Sequence, residues 1–377
     1  MKSDFHHLDK LIQIYPINKF QCSLQKFCEN EKISNEFYKY KSRNSKLSIN
    51  PLIGDDFIGR DIEDWVGLSL KNKRTKKQII TNSLYKEIYV EGVVNQFYFN
   101  CIDWIENSLI VGLSNSVFAV NVITNESCQL IPTNELYSVS CVKKEGKKTV
   151  ILGDCDGTLY QIDLEENVVS HKAKIHNDRI GRIICRENMI VTGSKDKKLN
   201  FIDRRISFDK SISSTLFEGE VCGLVINDNT ICIGTSNHIV YVYDIRFNNI
   251  PINIDYFHKS AVKALCFEIN RNNVILSGGG IRDRTIETWN YLTDERRCIE
   301  TGAQVVSIDY KEKQEYILVA LGYPSNGFIQ LDYQMNVLKR FDGHEGRLLS
   351  TAGFSSHADP LYASLGSDCK INVWDFM

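Results

Sequence analysis

The sequence has no long apolar run, no paired CxxC cysteines and almost no net charge. Each of these absences removes a class of protein. No segment approaches the 18 or so apolar residues of a membrane helix, and the opening MKSDFHHLDK carries charge and histidine where a signal peptide needs a continuous apolar stretch. Forty-five basic against 47 acidic side chains, a formal charge of −2, give no whole-molecule field for nucleic acid. The twelve cysteines are scattered from Cys22 to Cys369, which fits neither a zinc site nor a small disulfide-stapled domain. They read as free thiols of a reducing compartment, and the expectation is a soluble protein of nucleus and cytoplasm, with no cofactor and with neither a membrane nor nucleic acid as partner. Nothing in the chain supplies a nucleophile and base, a metal cluster or a phosphate-binding glycine loop, so an enzyme is not expected.

What the chain does have is a repeat. Seven segments end in Asp or Asn after a hydrophobic strand: FAVN at Asn121, YQID at Asp163, NFID at Asp203, YVYD at Asp244, ETWN at Asn290, IQLD at Asp332 and NVWD at Asp375. Their ends lie 42, 40, 41, 46, 42 and 43 residues apart, the length of one four-stranded propeller blade. A glycine landmark keeps step nine to eleven residues earlier, at Gly112, Gly153, Gly193, Gly234, Gly279, Gly322 and Gly366. The reading is an all-β protein, a seven-bladed WD-repeat β-propeller with an N-terminal extension. Histidines before three blades, His176, His258 and His344, are read as structural partners of Asp196, Asp283 and Asp368, since such groups buried alone are costly.

The last blade has sequence for three strands only before Met377. An open edge invites foreign pairing, so LYKEIY at residues 84–89 is expected to add itself as the outer strand. The domain division is then 1–83 as an arm and linker and 84–377 as the propeller. Within the arm, residues 23–40 have approximate helical spacing of apolar residues, and Lys71, Lys73, Arg74, Lys76 and Lys77 form a basic run that reads first as a solvated linker.

The stretches FYFNCIDW at Phe97–Trp104, SGGGIRDRTIETWN at Ser277–Asn290 and GHEGRLLS at Gly343–Ser350, with VCGL, AVKAL and TGAQVVSI between, resemble the Fizzy family of activators of the anaphase-promoting complex. The resemblance runs in register from about Leu84 to Met377. It implies a substrate-recruiting subunit of a ubiquitin ligase, working in mitosis or meiosis, whose partners are ligase subunits, substrates with KEN-like degradation signals and checkpoint or inhibitor proteins.

Carried over by position, the KEN pocket would use Asp103 for the lysine, with Gln304 and Arg347 for amide and carboxylate, while the family's asparagine and threonine are Ser236 and Ile281. The two acidic residues of the destruction-box pocket correspond to Gln96 and Cys369, neither charged, which leaves Glu91 or Asp368 to compensate. The docking motif called the C-box is matched in part by GDDFIGRD, through Asp55, Phe57, Ile58 and Arg60, and the family's Ile-Arg tail has no counterpart in the ending WDFM. This erosion keeps a second reading open, a WD-repeat scaffold for a multiprotein complex that activates nothing.

Overall fold

The computed structural model describes residues 12–15, 83–131, 136–247, 250–268, 271–311, 314–353 and 361–376, with backbone only at 12–15 and residue 272. Residues 1–16 and 79–377 form one unit and residues 17–78 a second. The helical stretch and basic run expected in the arm, and Asp55, Phe57, Ile58 and Arg60, lie outside the described residues.

Seven antiparallel sheets make the seven blades of a propeller. The innermost strands are Ile102–Ile105, Val139–Glu145, Ile180–Arg186, Val221–Asn227, Val262–Glu268, Val305–Lys311 and Leu348–Gly353, and each packs beside the next around a central channel. Second strands such as TVILGD and TICIGT are apolar almost throughout because neighbouring blades cover both faces. The hydrophobic clusters accordingly lie between blades: Ile110, Val117, Val139 and Val150, for example, join blades one and two.

Both sequence landmarks have a physical cause. A Cβ on Gly193 would sit 2.3 Å from the Val221 side chain, and one on Gly278 2.4 Å from Val305, so in the first five blades the residue that opens the next inner strand packs against bare backbone. In blade five the glycine in this contact is Gly278, one position before Gly279. The polar ends build Asx turns into the fourth strand: Oδ1 of Asn121 accepts from the amides of Ile123 and Thr124 at 2.9 Å, and Oδ1 of Asp163 from Glu165 at 2.8 Å.

The three histidines stand in closed networks. Nδ1 of His176 lies 3.0 Å from the Asp196 carboxylate while Nε2 meets the Thr192 hydroxyl at 2.8 Å. His258 pairs Asp283 with Ser277, and His344 pairs Asp368 with Ser364, whose oxygen also accepts from the Trp374 indole at 2.8 Å. Burial tends to raise the Asp196 carboxyl, but the hydrogen bond from His176 and the Asn177 amide outweigh it and hold it down at about 2.

Blade seven takes its outer strand from far upstream. Leu84–Val90 pairs antiparallel with Lys370–Asp375, Leu84 opposite Trp374 and Tyr89 opposite Lys370, and buries Ile88 and Val90 completely. A further strand, Ile12–Tyr15, lies outside it with Ile12 opposite Val90, so this sheet has five strands and segment 1–83 contributes one of them.

Candidate recognition surface

All inner strands run the same way around the channel, and each blade then meanders outward. The starts of the inner strands and the turns between second and third strands therefore share one face, termed the upper face. Gln304 and Arg347 immediately precede inner strands, while Ser236, Ile281 and Cys369 sit in second-to-third turns. Gln96 precedes the turn at residues 97–100 that leads into blade one. The structure thus brings six of the expected residues to one face.

Asp103 is placed elsewhere. The backbone of Asn100 bridges in parallel to Cys141, which sets Tyr98 level with Val139, the first residue of its strand. Asp103 is then five residues further along, roughly 16 Å at the rise of a strand, toward the lower face. Its carboxylate is buried and already engaged, accepting from the Lys143 ammonium at 2.9 Å and from the amides of Lys144 at 3.0 Å and Trp104 at 2.9 Å. The expectation that Asp103 receives a lysine at the mouth is corrected on both counts, position and occupancy.

Residues 97–100 stopper the ring at its upper end, a feature the sequence reading missed. Lys263, fully buried in blade five, donates to the carbonyls of Phe97 (2.6 Å), Phe99 (3.0 Å) and Leu349 (2.7 Å). The side-chain amide of Asn100 donates to the Gly181 carbonyl in blade three at 2.8 Å. One turn therefore ties blades two, three, five and seven together across the channel. A lysine inside the run AVKAL was the available signal, because an ammonium facing a core needs several acceptors.

Around this stopper stand two arginines. The Arg179 guanidinium lies 5.3 Å from the centre of the Tyr98 ring and pairs with Glu220 at 3.0 Å. The Arg347 guanidinium lies 5.8 Å from the Phe97 ring, and among the described residues no carboxylate pairs with it. Burial draws its pKa below the ordinary arginine range. Ser236 accepts from the Glu220 amide at 2.9 Å, the Ile281 carbonyl accepts from Arg284 at 2.8 Å, and the buried Gln304 has an Oε1 with no partner among the described residues.

At the junction of blades one and seven, the Val90 amide donates to the Cys369 carbonyl at 2.9 Å. Burial, Asp368 and Glu91 together raise the Cys369 thiol. Asp368 is bound to His344, so the carboxylate left exposed beside Cys369 is that of Glu91. Among the described residues no group of three His, Cys, Asp or Glu side chains is arranged to hold a metal ion. No helix among them is long and apolar enough to cross a membrane.

Seven antiparallel blades, Asx-turn ends and histidine–aspartate pairs on one face define a WD-repeat propeller, and the WD domain, G-beta repeat, family matches residues 335–375. Full-length comparison gives 26% identity over 84% of the chain with the B-type cell cycle switch protein ccs52A of Medicago truncatula, and 25% over 74% with Meiotic fizzy-related protein 1 of Schizosaccharomyces pombe. The APC/C activator protein CDH1 of Saccharomyces cerevisiae is 26% identical over 70% of the chain. The matches span 66%, 68% and 47% of those relatives' own lengths. A chain in the crystal structure of the mitotic checkpoint complex superposes with a TM-score of 0.74 at 22% identity, covering 88% of this chain and 99% of that one, which supports the fold. The chain is thus similar to Fizzy-type proteins at 25–26% identity over 70–84% of its length.

Proposed function

We propose that the chain is a substrate-recruiting activator subunit of the anaphase-promoting complex, working in nucleus and cytoplasm. In this reading the propeller binds short KEN-like segments on its upper face and performs no catalysis. The observation that carries the reading is Arg347, a half-buried guanidinium at the mouth of the ring with no carboxylate partner among the described residues, in a chain whose relatives include a named activator of that ligase. Arginine left in this state is a receptor for a carboxylate, here the glutamate of the segment. Gln304 keeps an acceptor for the asparagine amide, and Glu220, held by Arg179, takes the lysine role vacated by Asp103.

Docking to the ligase falls to Phe57, Ile58 and Arg60, with Asp55 completing the motif. Titration of the protein with a fluorescent KEN peptide tests the recognition half. Arg347→Ala should weaken binding at least thirtyfold, as expected when one partner of a charged hydrogen bond is removed. Indifference to that change would end the reading. Recovery of ligase subunits with the tagged protein, lost in Phe57→Ala/Ile58→Ala/Arg60→Ala, tests the other half.

A further inference from the structure

Below the stopper the channel remains open as a cavity of about 520 Å³ lined by the middle and last residues of the inner strands. It is blind at its upper end, because residues 97–100 close it there, so access is from the lower face. Its volume lies in the range of small-molecule sites, and its exposed lining is more polar than apolar. Blades four and five give it one greasy wall through Leu224, Ile226 and Leu265. Charged groups stand on the blades to either side, Arg182 in blade three and Asp309 and Lys311 in blade six, and on blades one and two, Asp103 and Lys143.

The two carboxylates of the cavity are already occupied. Asp103 is held by Lys143, and Asp309 accepts from the Tyr362 hydroxyl, which the Ser307 hydroxyl meets in turn at 3.1 Å. Two of the cations are not matched in the same way. Arg182 spends its Nε and one terminal nitrogen on the carbonyls of Cys222 (3.3 Å) and Lys263 (3.2 Å), and Asp309 offsets only part of its charge from a distance. Lys311 reaches over the Tyr362 ring at 5.3 Å and has no ion pair with a described residue.

A blind cup with Arg182 and Lys311 flanking the apolar side chains of blades four and five suits a ligand with both characters. We propose that it binds a small anion, a carboxylate or a phosphate, carried beside an apolar group. Lys311 and Arg182 would take the anion, and Leu224 and Leu265 the apolar part. This site lies at the opposite end of the channel from Arg347 and is independent of degradation-signal binding.

The experiment is calorimetric titration of the full chain with inorganic pyrophosphate, with N-acetyl-Leu-Glu, and with its neutral match N-acetyl-Leu-Gln carrying a C-terminal amide. Saturable binding of pyrophosphate or the acidic dipeptide is expected, at least tenfold tighter than of the neutral one. Lys311→Glu should abolish it and Lys311→Arg should keep it, while thermal melting shows both variants folded. Should Lys311→Glu fail to fold, Lys311→Met serves in its place with a loss of at least tenfold. Binding of pyrophosphate alone would assign the site to phosphate compounds, and of the dipeptide alone to carboxylate-bearing ones. Absence of saturable binding, equal binding by Lys311→Glu, or neutral and acidic dipeptides binding alike would overturn the proposal.

Discussion

The ammonium of Lys263 lies 2.6 Å from the carbonyl oxygen of Phe97, a contact between residues 166 positions apart that fixes the turn at the centre of the ring. Three buried carbonyls depend on this one side chain. Lys263→Met keeps the length of the side chain but leaves those acceptors unpaired, at about 1 to 3 kcal/mol each before relaxation. The expected loss is about 3 kcal/mol or more in denaturant unfolding, accompanied by weaker KEN-peptide binding because Phe97 and Tyr98 flank Arg347. A variant as stable as wild type would show that the turn is held by its other contacts.

Closure of the ring gives a second expectation. A chain starting at residue 79 retains Leu84–Val90 and should be a folded monomer. One starting at residue 93 loses the buried side chains of Ile88 and Val90, about 3 to 6 kcal/mol of apolar burial, together with a whole strand ladder. It should melt earlier and associate through the bare edge of Lys370–Asp375. Equal melting temperatures and equal sedimentation of the two chains would contradict this.

Between blades four and five, the buried carboxylates of Asp255 and Glu287 share the Arg296 guanidinium. Burial and the neighbouring charge of Asp255 raise Glu287 to about 8, with Arg296 opposing. The folded form therefore holds a proton that the unfolded chain releases above the ordinary glutamate range, so stability should fall as pH rises from about 5 to 8. Glu287→Gln carries no such proton and should flatten this part of the profile, becoming the more stable form at pH 8. Melting temperatures of both proteins across that range provide the check.

The junction of blades one and seven predicts a gain of function. Gln96 and Cys369 offer an incoming arginine no carboxylate, and Asp368 is spent on His344. Gln96→Asp with Cys369→Glu should strengthen binding of an RxxL peptide at least tenfold, which fluorescence titration would read directly. Cys369 already has a positive φ of 62°, so exchanging one side chain for another there adds no new backbone strain. Tight RxxL binding by the unaltered chain would place the arginine contact at Glu91 instead.

The blades were legible because their two landmarks are local. A polar residue that bends its own chain through an Asx turn recurs in the first six repeats, and a glycine forced by the opening residue of the next inner strand recurs in the first five. Arg347 and Gln304 took the upper-face positions that the family resemblance implies. Asp103 did not, since the residues before blade one enter through the stopper and not through a fourth strand of a preceding blade, and only the Asn100–Cys141 bridge reveals how far along the channel they run. Lys263 and Arg182 were missed because each sits within an ordinary inner strand, and their importance arises from carbonyls contributed by other blades.

The pairing of Leu84–Val90 with Lys370–Asp375 also sets an order of events. On a ribosome the first of these strands emerges long before Lys370–Asp375 exists, so throughout synthesis of the six intervening blades it must wait without that partner, with Ile12–Tyr15 the neighbour already made. The ring can lock only after nearly the whole chain has been made, and the search that locks it is between segments about as far apart in sequence as the fold contains. Contacts of that separation form slowly and leave sheet edges exposed in the meantime. Folding of this protein should thus be limited by its seam, and the seam is where a chaperone that shields unpaired strands would have the most to do.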